Sequence, residues 1–569
     1  VPSKKFNPSF RAIIVALALF IIAVRLCSLP FPDLVDTTEG RYAGVAQIML
    51  ERNDWVTPWI HYEGINQPYL GKPPLHFWLV QTSFLLFGQN SFAARFPGVL
   101  SAIGIGLALW FGALSLIGTE AALVTTAVFA SSCMTFFLGG SVVLDVTLTL
   151  GVTIALLCLI LTERSKLAGY LAFAGLALAV LTKGPLACVL VGCVAGPWAV
   201  GHRLLLKRWP AQLSKVPWLT GSALFLALVL PWYIWAEIRN PGFLHYFIFN
   251  ENLGRYFSKD YIDEYGSGHR QPRGAGFVMM ILAVFPWSFV LLAALAPRAK
   301  RVFSKQTISA FSEDSTLLFA FCWTLSCPVL LLGATQYTST YLMPSVPGFA
   351  LLLGVLWKRY TSNTDVVKAL RLREILVYAT GILIAAWIII SLTSLWFMPN
   401  YTAVGTSIIL AGWIAVSFIS FLRASHDTPN LQSEKPISAQ RYYNQPLGML
   451  LMLALVCAAV YGAATFCYTN SLSANRSSRR ALETAKKLST TNHPLRIGFP
   501  YYFPFSAWFY RPLVLNNGDQ VIALKEGDLA AADVDLLIIR KRTLDRLKTE
   551  LPEAKEIAAV GQWRIFRKQ

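Results

Sequence analysis

The chain gathers its ionisable residues at a few points of an otherwise apolar sequence. The stretch "VDTTEGRYAGVAQIML" (35–50) carries Asp36 and Glu39, followed at once by Arg41 and Tyr42. Lys72 stands between Gly71 and two prolines, Arg95 lies in "SFAARFPG", Asp145 in "GGSVVLDVTLTL" and Lys183 in "LTKGPLA". Further on, "HYFIFNENLGRYFSKDYIDEYGSGHRQPRG" brings paired aromatics, Glu251, Arg255 and the pair His269–Arg270, and "TQYTSTYLMP" adds Tyr337 and Tyr341. Cations and tyrosines around a few carboxylates suit a lipid that carries phosphate. The cations neutralise a phosphate leaving group, while a carboxylate takes a proton or steadies a cationic sugar-like centre. Plainer readings stand beside this one. Glu39 in a first helical turn favours the helix dipole, and Lys72 and Arg95 can snorkel to lipid headgroups. Asp145 is harder to dismiss, because an acid within or beside a membrane span is costly and marks a functional site by default. Lys183 is its expected partner.

The elements that must position these groups are membrane spans. Of the 569 residues, 55% are hydrophobic and only 14% charged, where a soluble chain carries about 25% charged residues. The apolar residues fall in blocks of about 20, enough to cross a hydrocarbon core of about 30 Å. About thirteen spans are expected, near 10–30, 93–115, 120–139, 142–162, 167–181, 186–201, 217–237, 274–296, 314–333, 340–357, 375–396, 404–423 and 446–466. The first follows Lys4, Lys5 and Arg11 without a small-residue cleavage site, so it reads as a retained span. Residues 73–90 are apolar but open on Pro-Pro, and read as an interfacial segment or an early start to the second span.

The net charge of +19 invites a nucleic-acid partner, but its placement argues against one. The basic residues cluster in short loops, at Arg203, Lys207, Arg208 and Lys215, at Arg298, Lys300, Arg301 and Lys305, and from Lys358 to Arg373. That is the positive-inside pattern. With a cytoplasmic N-terminus, every such loop is cytoplasmic, and the other face receives residues 31–92, residues 238–273 and everything after about 467. The nine cysteines lie mostly within apolar blocks and make no CxxC spacing, so they read as small core hydrophobes.

Two long loops on one face of a helical bundle point to function, since loops beyond about 12–15 residues are otherwise uncommon. In the first, Thr37 and Thr38 are placed to cap a helix from Glu39. Tyr42, Val45, Ala46 and Met49 then form an apolar stripe, so an amphipathic helix at the membrane surface is expected. Residues 1–466 thus form a membrane domain. Residues 467–569, with "RRALETAKKL", "LRIGF", "DVDLLIIRKRTLDRLK" and "QWRIFRK", read as a small extramembrane α/β domain without a glycine-rich phosphate loop.

Taken in order over residues 10 to 360, these motifs resemble the bacterial aminoarabinose transferases. More broadly the chain is similar to the protein-mannosyltransferase-related GT-C glycosyltransferases. The resemblance implies an inverting, integral inner-membrane enzyme with its active site facing the periplasm. Its donor would be an undecaprenyl-phosphate-linked sugar such as 4-amino-4-deoxy-L-arabinose. Its acceptor would be a lipid A phosphate or another lipopolysaccharide component, and its product would confer resistance to cationic antimicrobial peptides. A monomer is expected, with membrane lipids around it and no nucleic acid bound. Glu39, Arg41 and Tyr42 match the family's acidic-Arg-Tyr helix start, and Lys72 matches the lysine assigned to the carrier phosphate. Asp145 matches the second acidic position, His269 and Arg270 the His-Arg of the second loop, and Tyr341 the tyrosine before "LxP".

Two departures matter. The family reads Asp-Glu at the helix start with Asp as the favoured catalytic group, and here that position is Thr38. Either Glu39 takes the role or Asp36 reaches in. The family also carries Glu before the lysine, a metal ligand candidate together with the loop histidine, whereas this chain has Gly71. No cofactor is therefore expected, and a divalent metal at His269 is weakened as an expectation. An ionised phosphate acceptor needs no strong base, whereas a hydroxyl acceptor does. The missing Asp therefore fits the former. Transfer to a protein or polysaccharide hydroxyl is the alternative within this fold. A lipid-linked sugar flippase is the alternative outside it, although no repeated halves are visible.

Overall fold

The computed structural model describes residues 8–62, 64–254, 270–296, 311, 313–334, 336–362, 366–397, parts of 407–419, 439–491, 493–525, 529, 532–547 and 554–567. Among them, eight helices are long and apolar enough to cross a membrane. They are α4 (Ser91–Ile117), α7 (Leu144–Leu161), α8 (Lys166–Lys183), α9 (Leu186–Leu206) and the helices Trp218–Arg239, Ser339–Thr361, Arg371–Thr393 and Pro446–Arg476. Shorter apolar helices include Ile14–Ser28 within α1 (Pro8–Ser28), α3 (Leu75–Phe87), α5 (Thr119–Ser131) and Ser315–Leu330. The chain is a multi-pass helical membrane protein.

Two expected spans are not single helices. The one near 274–296 is a pair, Ala275–Ala283 and Trp287–Leu295, bent by 106°. Pro286 sits at the break, and a proline there can neither donate to the helix ladder nor clear the preceding turn. The one near 120–139 breaks into α5 and α6 (Cys133–Leu138) at Ser132. There the hydroxyls of Ser131 and Ser132 bond back to the carbonyls of Ala127 and Val128, a bonding pattern that bends helices. The span near 404–423 falls largely outside the described residues.

Close packing of α7 against α8 fixes the ends of both helices. A side chain at Gly151 would lie 2.6 Å from the Gly175 carbonyl, so the two backbones touch. The helices run antiparallel, which sets the start of α7 beside the end of α8.

The first loop folds as α2 (Thr38–Glu51), an antiparallel hairpin of β1 (Trp59–Tyr62) and β2 (Ile65–Pro68), and α3. The expected amphipathic surface helix needs correcting. In α2 every residue from Glu39 to Met49 except Arg41 is buried, and Thr37 makes no side-chain cap. The cause lies far along the chain, in the helix Phe505–Val514, which packs on α2. Gly40 permits the approach: a Cβ there would lie 2.7 Å from the Ser506 nitrogen.

That helix belongs to an α/β unit that begins where the last span ends, at Arg476. Its five-stranded sheet has the order β4–β3–β5–β7–β6, from β3 (Arg496–Pro500), β4 (Gln520–Leu524), β5 (Leu536–Arg540), β6 (Lys555–Val560) and β7 (Trp563–Arg567). Pairing is parallel for β4–β3–β5 and antiparallel for β5–β7–β6. One hydrophobic core runs from Leu34, Val45 and Phe77 of the first loop into Leu482, Ile497 and Trp563 of this unit. The two are therefore packed as one body.

Candidate active site

At the α7–α8 junction, Lys183 donates to Asp145 Oδ1 at 2.6 Å, and both side chains are more than nine-tenths buried. The ring of Tyr341 lies 3.9 Å from the Lys183 ammonium, a cation–π contact. Tyr341 comes from the short 3₁₀ segment Ser339–Ser345. A narrow cleft is lined by Asp145, Lys183 and Tyr341 together with Leu186, Cys327 and Pro344. Tyr42 of α2 is an electrostatic neighbour of Lys183, and His76 of α3 is one of Asp145. His76 Nδ1 lies 3.1 Å from the Thr147 hydroxyl, further along α7.

A second buried lysine–carboxylate pair involves Lys72. Lys72 donates to the Gly71 carbonyl at 2.6 Å and to the carboxylate of Glu251, both side chains being buried. Glu251 sits in a π-helix, Tyr246–Gly254, and Phe247 of the same helix presses on Gly184, next to Lys183. The wall between Lys72 and Tyr42 is aromatic: Phe77 lies edge-on to both Tyr42 and Tyr69, at 5.9 and 6.2 Å between centroids.

Glu39 has its own partners. Arg95 grips it bidentately, Nε to Oε1 at 2.9 Å and Nη2 to Oε2 at 2.7 Å. The backbone N–H groups of Val35 and Val142 donate to the same carboxylate at 3.1 Å each. Burial alone would raise its pKa, but Arg95 and these hydrogen bonds outweigh burial and hold it below the usual range. Arg95 also donates to the carbonyls of Leu29 and Pro32. The pair ties α1, α2, α4 and the 140–143 turn together.

Asp36 faces the C-terminal unit. It accepts from the Ser506 backbone N–H at 2.8 Å and the Ser506 hydroxyl at 2.5 Å, at the start of the helix Phe505–Val514. Burial pushes its pKa up to about 6, against the lowering effect of the Ser506 bonds. Arg41 stacks over Tyr42 at 5.1 Å and near Phe505 at 5.9 Å. Arg270 is exposed and bridges to the backbone of Gln336. His269 lies outside the described residues. Among the described residues, no three His, Cys, Asp or Glu side chains converge. Asp145 and Glu251 each already hold a lysine.

The structure thus unites Asp145, Lys183, Tyr341 and Tyr42, holds Lys72 on Glu251, and ties Glu39 to Arg95 and Asp36 to Ser506. Glu251 is the group that sequence reasoning left unassigned. Its only signal was an acid among paired aromatics in a long loop.

Comparison with known proteins shows what the chain is similar to. Residues 71–235 match the model of the dolichyl-phosphate-mannose-protein mannosyltransferase family. The undecaprenyl phosphate-alpha-4-amino-4-deoxy-L-arabinose arabinosyl transferase of Edwardsiella ictaluri is 27% identical over 374 residues, covering 64% of this chain and 63% of that protein. The enzyme of the same name from Aeromonas salmonicida is 29% identical, covering 59% and 58%. The chain thus spans less than two-thirds of the length of these curated relatives. The crystal structure of ArnT from Cupriavidus metallidurans bound to undecaprenyl phosphate superimposes with a TM-score of 0.70 at 18% identity, covering 99% of this chain and 98% of that one. The apo structure of the same protein gives 0.67. The chain therefore has the same membrane-protein fold as that structure over nearly its whole length and is similar in sequence to arabinosyl transferases over about 60% of it.

Proposed function

We propose that the chain is an inverting glycosyltransferase that moves 4-amino-4-deoxy-L-arabinose from undecaprenyl phosphate to a phosphate of lipid A or another lipopolysaccharide component. The reaction takes place at the periplasmic face of a bacterial inner membrane. The observation that carries this reading is the pair of buried lysines, Lys72 and Lys183, each beside a carboxylate at one end of the bundle.

The charge balance of the reaction explains why lysines are wanted there. A sugar-linked carrier phosphate is a diester with one negative charge. When the anomeric carbon–oxygen bond breaks, the departing monoester gains a second charge. Cations held in a water-poor site bind that dianion better than the diester, which lowers the barrier. The incoming phosphate monoester oxygen forms the new bond and becomes a diester, so no proton need be removed. A site with Thr38 in place of an acid can serve this acceptor.

In the resting site Glu251 and Asp145 neutralise the two lysines. We assign the carrier phosphate to Lys72, Lys183 and Arg270, with Tyr341 as hydrogen-bond donor. Glu251 and Asp145, released as the phosphate arrives, then stabilise the cationic anomeric centre. Glu39 and Arg95 shape the loop above without touching the reacting atoms. Purified protein incubated with synthetic donor and lipid A tests the reading. Transfer by wild type and its loss in Lys72→Ala support it, whereas donor translocation in vesicles without transfer would point to a flippase.

A further inference from the structure

At the end of the bundle remote from the lysine pairs lies a second, half-open cavity of about 260 Å³. That is close to the lower end of ligand pockets, which run about 300–1,000 Å³, and its open side lets a longer group extend beyond it. It lies between α5 and the helices Trp287–Leu295, Val346–Thr361, Arg371–Thr393 and Pro446–Arg476, with Val128, Val290, Leu353 and Leu376 in its wall. Its position along the bundle can be read from one helix. Tyr341 precedes Val346–Thr361, and Trp357 lies eleven residues beyond Val346, roughly 17 Å further on at 1.5 Å per residue. This is the end that carries Lys358 and Arg359 in the last turn.

Two features distinguish the cavity from a plain packing defect. Trp357 lines it and is 5% exposed, yet its indole N–H has no hydrogen-bond partner among the described residues. A buried donor without an acceptor is costly, and it is satisfied when a ligand supplies an oxygen. Arg371 also lines the cavity, opens the next span and is exposed, so it offers a fixed cation at the mouth. An apolar chamber with one buried donor and a cation at its rim matches an acyl chain, an ester oxygen and a phosphate in that order.

We propose that this cavity binds an anionic glycerophospholipid of the leaflet next to the basic loops. One acyl chain fills the chamber, an ester oxygen accepts from Trp357, and the headgroup phosphate rests on Arg371. The site is independent of the transfer reaction, because the carrier phosphate is held at the other end of the bundle.

The test uses full-length protein, delipidated in detergent and titrated with phosphatidylglycerol or phosphatidylcholine of identical chains, bound lipid being counted by native mass spectrometry. The expected result is a preference for phosphatidylglycerol of roughly fivefold, the factor given by about 1 kcal/mol per basic residue at an anionic headgroup. Arg371→Ala removes the preference while both lipids still bind, and Leu353→Trp, which fills the chamber, weakens both. Should Leu353→Trp not fold, Val128→Met serves as the smaller filling variant. Equal affinity for the two lipids, a preference unchanged in Arg371→Ala, or undiminished binding in the filled variant would overturn the proposal.

Discussion

Removing the Glu39 carboxylate separates a structural from a catalytic role. In Glu39→Ala the Arg95 guanidinium, whose side chain is 2% exposed, loses both charge-assisted hydrogen bonds. Taking one partner from a buried ion pair costs about 3–5 kcal/mol. The N–H groups of Val35 and Val142 lose their acceptor as well, at about 1–3 kcal/mol each where water does not replace it. Folded proteins hold only about 5–15 kcal/mol in all, so the variant is expected to be poorly folded. Glu39→Gln keeps the shape but turns an amide N–H toward a guanidinium N–H, which costs less than Ala and more than wild type. Replacing both partners, Glu39→Leu with Arg95→Leu, removes the stranded charge, and the double variant is expected to be more stable than Glu39→Ala. The assay is the melting temperature of each purified variant in detergent, alongside transfer per mole of folded protein. If Glu39→Ala and Glu39→Gln melt like wild type yet transfer nothing, Glu39 is catalytic and its structural role is refuted.

Four more outcomes are expected. Lys72→Ala leaves Glu251 buried and unpaired and so melts lower than wild type, and per mole of folded protein it lowers transfer by about 10²–10³, the usual effect of deleting one donor to a developing oxyanion. Lys183→Met does likewise, and Asp145→Asn partly restores stability to it by removing the buried charge left behind; a double variant no more stable than Lys183→Met would count against the pairing. The Asp36 pKa is raised to about 6 in the folded protein, above the unfolded value of about 3.9. Its contribution to stability is therefore fully present below about pH 4 and lost as pH rises through about 6. Melting between pH 4 and 7 should show this slope, and Asp36→Asn should flatten it. Gly40→Val places methyl groups where the Ser506 nitrogen stands 2.7 Å away, so limited proteolysis should release the C-terminal unit faster than from wild type.

Features are legible in the sequence where their signals are local. Helix ends and hydrophobic blocks are short-range, and "LDVT" and "LTKG" mark the ends of α7 and α8, so Asp145 and Lys183 could be paired before any coordinates. The helix "RRALETAKKL" and the strands in "LRIGF" and "QWRIF" were legible for the same reason. The misreadings depend on distant partners. The stripe on α2 looked amphipathic, because nothing near it announces that Phe505–Val514 covers its other face. The partners of Glu39 were equally hidden, since only the fold brings Arg95 and the Val142 N–H to its oxygens. Glu251 could not be matched to Lys72, 179 residues away, by any spacing rule.

The central claim is that Lys72 and Lys183 stabilise a carrier phosphate as it leaves a sugar. Single-turnover transfer from synthetic undecaprenyl-phosphate aminoarabinose to lipid A, with binding of undecaprenyl phosphate measured on the same preparations, tests it most directly. The account predicts that Lys72→Ala and Lys183→Met slow the chemical step far more than they weaken binding of the intact donor. Chemistry at the wild-type rate once the donor is saturating in either variant would contradict it.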